Sequence, residues 1–96
     1  MRICFKPPFR KFVKKQSRPF QLVIEDEVEN IIQNPELGNL KKGDLLDFRI
    51  HRFFYGKQTF LISYRQWESE IVFYTLGSHE NFYRGLKRYL KGTGKS

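Results

Sequence analysis

Residues 70–83 read EIVFYTLGSHENFY, and the reading of this stretch decides the fold. The run Ile71-Val72-Phe73-Tyr74-Thr75-Leu76 holds little polar content, so a strand made from it is buried on both faces, as a central strand is. Gly77 and Ser78 break the run. From Glu80 to Lys91 the pattern turns helical, with Phe82, Leu86, Tyr89 and Leu90 on one side and Arg84, Lys87, Arg88 and Lys91 around the other. One of the chain's only two histidines, His79, stands at the junction, with Tyr83 four positions on.

Upstream of this strand the sequence reads as a meander. Phe60, Ile62 and Tyr64 alternate with Thr59, Leu61, Ser63 and Arg65, and Gln66-Trp67-Glu68-Ser69 supplies the next turn. Gly56-Lys57 is a turn signal before it. Leu46, Phe48 and Ile50 alternate with Asp47, Arg49 and His51, which gives an earlier strand one apolar and one polar face.

Nearer the N-terminus, Arg2-Ile3-Cys4-Phe5-Lys6 alternates as a strand that Pro7-Pro8 should end, and Phe9, Phe12 and Val13 recur at helical spacing among Arg10, Lys11, Lys14 and Lys15. Ser17 is placed to cap a second helix with Pro19 in its first turn. Phe20, Ile24, Val28, Ile31 and Ile32 form its apolar stripe, and Asn34-Pro35 should stop it, because proline disfavours helical geometry in the residue before it. The predicted order is β-α-α-β-β-β-α, an α+β chain.

Ninety-six residues predict one domain over 1–96, large enough for a modest core without disulfides or a metal. The last five, Gly92-Thr93-Gly94-Lys95-Ser96, read as a flexible tail; their Gly-Lys-Ser lacks both the earlier glycine and the following helix of a phosphate loop. A lone cysteine, Cys4, forms no internal disulfide and no metal cluster, and no cofactor is called for. With no apolar run near the roughly 20 residues that cross a bilayer, the expectation is a cytoplasmic protein that does not engage membranes.

Charge narrows the partner. Eighteen Lys and Arg against ten Asp and Glu give a formal net charge of +8, and the acids gather in Glu25-Asp26-Glu27 and Glu29 while bases crowd the first and last helices. Such segregation predicts a basic face for nucleic acid or for an acidic protein that imitates it.

Three motifs in order resemble a known family: Asn34-Pro35-Glu36-Leu37-Gly38, then Lys42-Gly43-Asp44-Leu45, then Gly77-Ser78-His79-Glu80-Asn81-Phe82-Tyr83. Together they look like the RelE/ParE superfamily of toxins from type II toxin–antitoxin modules, the last motif being similar to the YafQ-like branch. The resemblance implies a small microbial-RNase-like fold, an antiparallel twisted sheet with two N-terminal helices on one face and a C-terminal helix. It also implies an acidic antitoxin as partner and one of two targets. Some members cut messenger RNA on the ribosome; others, of the ParE kind, inhibit DNA gyrase without cutting RNA.

Ribosome-dependent cleavage, in which an RNA 2′-OH attacks the adjacent phosphorus, needs proton transfer, cations for the developing charge and no metal. Carried over from the motif, His79 would transfer the proton and Tyr83 would be its aromatic partner. Arg49 and His51 share one strand face, opposite Phe48 and Ile50, and are expected on the open side where RNA lies if the Phe48 face packs on the helices. Lys41, Lys42, Arg65, Arg84 and Lys87 are candidates for contacts to RNA. One departure stands out: where many members carry Tyr-Arg-x-x-Tyr in the third strand, this chain has Phe60-Leu61-Ile62-Ser63-Tyr64, so Leu61 replaces the arginine that faces the scissile phosphate. A generic RNA-binding module is a further reading, since aromatic strands with basic flanks stack bases.

Overall fold

A computed structural model describes residues 1–41 and 47–93 of the chain. The elements run β1 (Arg2–Phe5), α1 (Pro7–Lys14), α2 (Arg18–Gln33), β2 (Asn39–Leu40), β3 (Arg49–Tyr55), β4 (Gln58–Trp67), β5 (Glu70–Ser78) and α3 (Phe82–Thr93). The order expected from sequence holds, with one addition: β2 has two residues, too few to leave an alternation.

The helix boundaries follow from capping. Pro7 opens α1 rather than separating it from β1, because the first helical positions lose no hydrogen bond to proline and its fixed φ suits them. Ser17 caps α2 through its hydroxyl, which accepts from the Phe20 N–H at 3.4 Å, and Asn34 closes the helix before Pro35. α3 starts at Phe82 rather than Glu80: the Asn81 carbonyl accepts from the Gly85 N–H at 3.0 Å, so His79 and Glu80 stay in the exposed turn ahead of it. At its other end α3 includes Gly92 and Thr93, which were expected in the tail. The remaining tail residues, 94–96, lie outside the described residues, as do Lys42 and Leu46.

The sheet order is β1-β5-β4-β3-β2. β5 lies inside it, as its apolar run requires. β2, β3, β4 and β5 pair antiparallel, but β1 joins β5 in parallel, with Arg2 opposite Glu70 and Phe5 opposite Phe73. This corrects the all-antiparallel expectation. A parallel neighbour needs a long connection, and the chain between β1 and β5 includes both N-terminal helices.

Two layers cover the sheet. On one face Phe9 of α1 and Phe20, Ile24, Val28 and Ile31 of α2 pack on Phe53, Phe60, Ile62, Tyr64, Ile71 and Phe73. Ring contacts dominate this layer, with Phe20 stacked on Tyr55 at 4.3 Å between centroids and Phe5 on Phe73 at 5.2 Å. Aromatic side chains buried this way typically cost about 3–5 kcal/mol when cut back to alanine. On the opposite face Phe82 and Leu86 of α3 pack on Phe48, Ile50, Leu61, Val72 and Tyr74. A bulge helps the strands serve both layers: Ser63 pairs with Thr75 and Tyr64 with Phe73, leaving Tyr74 extra. The displaced Thr75 N–H donates to Ser63 Oγ at 3.0 Å, and the two hydroxyls meet at 2.6 Å, so the buried polar groups satisfy one another. Phe73 and Leu76, three residues apart, thereby face the same helices.

β3 is shared unevenly. Its start presents Ile50 to α3, while Phe53 and Tyr55 turn to the α1 and α2 layer. Arg52 and Phe54, on the α3 face but beyond the part that buries Ile50, are exposed.

Candidate nucleic-acid interface

The β3–β4 hairpin closes through Gly56 and Lys57, with Tyr55 paired to Gln58. Gly56 takes a φ of 61°, which a side chain disfavours, at the first position of the tight turn, as in a type II′ hairpin. A two-residue loop fixes the register: Arg52 stands opposite Leu61, and Leu61 opposite Gly77 of β5. Two residues nearer the turn, Phe54 stands opposite Thr59. The His79 N–H donates to the Thr59 carbonyl at 3.0 Å, which extends β5 by one residue and sets His79 in the row of Phe54 and Thr59. By strand alternation these two rows share the α3 face.

The result is an open cleft of about 470 Å³ at the hairpin end of the sheet, lined by Arg52, Lys57, Gln58, Thr59, Ser78, His79 and Glu80. Two cations, an imidazole and the Thr59 hydroxyl line it, with one carboxylate, while Ser78, paired with Phe60, alternates onto the opposite face. The set combines cations for phosphate, a hydroxyl donor and an imidazole able to carry a proton, the inventory that phosphodiester chemistry asks for.

The other residues singled out from sequence lie elsewhere. Arg49 and His51 do share a face, but it is the face under α2, because Phe48 and Ile50 pack beneath α3. Arg49 donates to the Gly38 carbonyl at 2.9 Å and approaches that of Glu36 at 3.4 Å, and His51 Nε2 meets Glu27 Oε1 of α2 at 2.7 Å. The expectation that both point to an open side is therefore corrected. Arg65, of the same parity as Thr59 and Leu61, lies on the α3 face, its guanidinium 4.0 Å from the centre of the Phe48 ring and 5.5 Å from that of Tyr74. It is six residues along β4 from Thr59, roughly 20 Å away. Tyr83 packs edge-on against Phe82 at 5.1 Å, with Lys41 Nζ 5.9 Å from its ring centre, and does not line the His79 cleft. Arg84 and Lys87 are exposed on α3, and Lys42 is outside the described residues.

Three residues of this end escaped the sequence reading: Arg52, Lys57 and Phe54. A signal for Arg52 was present. Taking Gly56-Lys57 as a two-residue loop sets Arg52 directly opposite Leu61, the position without its arginine. Leu61 itself is 3 % exposed, in the apolar layer under α3. Among the described residues no group of three or more His, Cys, Asp or Glu side chains is placed to hold a metal ion, and no helix is long and apolar enough to cross a membrane.

Two solved structures share the fold. A chain of the intact E. coli RelBE toxin–antitoxin complex is similar with a TM-score of 0.64 at 10% identity, over 79% of this chain and 93% of that one. The solution structure of the conserved hypothetical protein HP0894 from Helicobacter pylori gives a TM-score of 0.50 at 20% identity, over 83% of this chain and 96% of that one. No curated protein matches the chain. The sequence itself matches a family model over residues 3–87, nearly its whole length, and the chain belongs to that family, the ParE-like toxins of type II bacterial toxin–antitoxin systems.

Proposed function

We propose that this toxin arrests translation by cutting messenger RNA on the ribosome, with His79 as the proton-transfer group. The observation that carries the reading is the position of His79: exposed at the end of β5, its backbone held by Thr59, in a cleft shared with Arg52 and Lys57. In the reaction the RNA 2′-oxygen loses its proton and bonds to phosphorus, the bond from phosphorus to the 5′-oxygen breaks, and the leaving oxygen takes up a proton. His79 handles one of these transfers. The Thr59 hydroxyl, in the row of His79, donates to a phosphate oxygen. Tyr83, Arg49 and His51 act through the fold, and Arg65, Arg84, Lys87 and Lys41 contribute positive potential away from the reacting bond.

A type II toxin has an antitoxin, and for this chain an acidic segment fits best. It would cover the basic surface or displace α3, whose exposed side carries Arg84, Lys87, Arg88 and Lys91. A second reading, inhibition of DNA gyrase without RNA cleavage, is favoured by Leu61 at the position of the strand-three arginine.

His79→Gln separates the two. The side chain is exposed, so the substitution should change stability by less than about 1 kcal/mol. Cleavage should fall about 10²- to 10⁴-fold, because glutamine cannot shuttle a proton near neutral pH. Messenger RNA ends and gyrase-dependent DNA breaks are mapped in the same expressing cells. A folded His79→Gln toxin that still arrests growth, with DNA breaks and no RNA cleavage in either form, removes the nuclease reading.

A further inference from the structure

We propose that the tip of the β3–β4 hairpin is a nucleotide clamp, in which Arg52 holds a phosphate and Phe54 stacks on the neighbouring base of single-stranded RNA. The proposal deepens the nuclease reading and rests on it for the chemistry, though not for the binding. Phe54 is 72 % exposed, the most of any large apolar residue described, and no apolar layer covers it. It stands in the row of Thr59 and His79, and Arg52 stands two residues back along β3, opposite Leu61. Both alternate onto the α3 face, at the end of β3 remote from Ile50.

The geometry suits one nucleotide. From Arg52 to His79 the sheet spans two strand spacings and two residues, roughly 12 Å between Cα atoms, a gap into which both side chains extend. Between them Leu61 is buried in its layer and Gly77 has no side chain, so no strand residue on that line repels an anion, and the one carboxylate of the cleft, Glu80, lies in the turn after β5. Arg52 therefore takes over, from the neighbouring strand, the place that Leu61 leaves without a cation. Its planar fork matches two phosphate oxygens at once. Phe54, two positions nearer the turn on the same strand face, is about 7 Å along the strand, a separation that lets one residue meet a phosphate and the other the base beside it. Lys57 in the turn adds charge at the mouth of the cleft. A base platform without base-edge donors reads any base, so this end fixes the strand in place and leaves sequence preference to other contacts.

The test uses a 2′-O-methyl hexanucleotide, which cannot be cleaved, titrated into the full chain over a range of salt. Arg52→Ala should weaken binding and reduce the slope of log affinity against log salt by about 0.7, the loss of one phosphate contact to a single strand. Phe54→Ala should weaken binding on the order of tenfold with the slope unchanged, and Phe54→Trp should restore it where Phe54→Leu does not, because stacking needs a π-face. Arg10→Ala, an equal loss of charge on the exposed face of α1, is the control for net charge. Affinity indifferent to Arg52 and Phe54, or Leu serving as well as Trp, overturns the clamp, as does an oligonucleotide that binds wild type no better than the double variant. Cleavage on programmed ribosomes is then measured with the same proteins, where Arg52→Ala should lose on the order of 10²-fold. Wild type that cuts nothing while binding still depends on both residues removes the nuclease reading and leaves the clamp; cleavage unchanged in both variants does the reverse.

Discussion

The guanidinium of Arg49 donates to the Gly38 carbonyl at 2.9 Å and so ties the start of β3 to the loop after α2. His51, next on the same face, ties β3 to Glu27 of α2. Strand alternation was legible in the sequence and correctly put both residues opposite Phe48 and Ile50. What alternation leaves open is which face each helix covers, and β3 carries apolar residues on both: Phe48 and Ile50 on one parity, Phe53 and Tyr55 on the other. That change of parity is the mark of a strand between two layers, and it hid Arg52 and Phe54, the residues that no layer covers. Arg49→Ala should accordingly act on stability. We expect a loss of about 1–2 kcal/mol in urea unfolding, the scale of a hydrogen bond from a charged donor, with ribosome-dependent cleavage by the folded variant within threefold of wild type. A hundredfold loss of cleavage at unchanged stability would return Arg49 to the reaction.

Between α2 and β2, the segment Asn34-Pro35-Glu36-Leu37-Gly38 is pinned by one buried side chain of β4. The Tyr64 hydroxyl donates to the Pro35 carbonyl at 2.8 Å and accepts from the Gly38 N–H at 2.8 Å. A Cβ on Gly38 would lie 2.9 Å from the Tyr64 ring and hydroxyl and 3.1 Å from the Ile50 carbonyl carbon, which is why this motif ends in glycine. The motif was legible in the sequence, but its partner was not, because Tyr64 lies 26 residues from Gly38 and meets it only when β4 and β3 are paired. Burial, the largest cause, holds the Tyr64 hydroxyl above the ordinary tyrosine pKa of 10.0, against the opposing effects of the Gly38 hydrogen bond and the Arg49 charge. A phenol that ionises less readily folded than unfolded contributes fully below about pH 10 and loses that contribution as pH rises through its higher folded value. Tyr64→Phe should therefore cost about 1–3 kcal/mol at neutral pH, since a buried N–H and carbonyl lose their partner. The gap between wild type and variant should narrow above pH 10 in denaturation experiments; a gap that widens there would contradict this account of the hydroxyl.

At the scale of the whole molecule the net charge of +8 is arranged rather than spread. Exposed acids, Glu25, Asp26 and Glu29, sit on α2, whereas Arg10, Lys11, Lys14 and Lys15 line α1 and the turn after it, and Arg84, Lys87, Arg88 and Lys91 line α3. These two helices flank the sheet from opposite faces, so an approaching polyanion meets positive potential on either side of the hairpin end that holds His79 and Arg52. The acidic antitoxin proposed above would meet the same field, and its association should be steered by it. Exposed charges act over a Debye length of about 10 Å at 0.1 M salt and about 3 Å at 1 M, so salt should slow the encounter more than it speeds escape. We expect the association rate with the product of the adjacent reading frame to fall at least about tenfold between 0.05 and 0.5 M NaCl while the dissociation rate changes little, because apolar contacts made after docking are not screened. Neutralising Arg84 and Lys87 together should lower the association rate at low salt and flatten its salt dependence. An association rate that ignores both salt and these charges would mean that the antitoxin recognises the apolar surfaces of the toxin without guidance from its field.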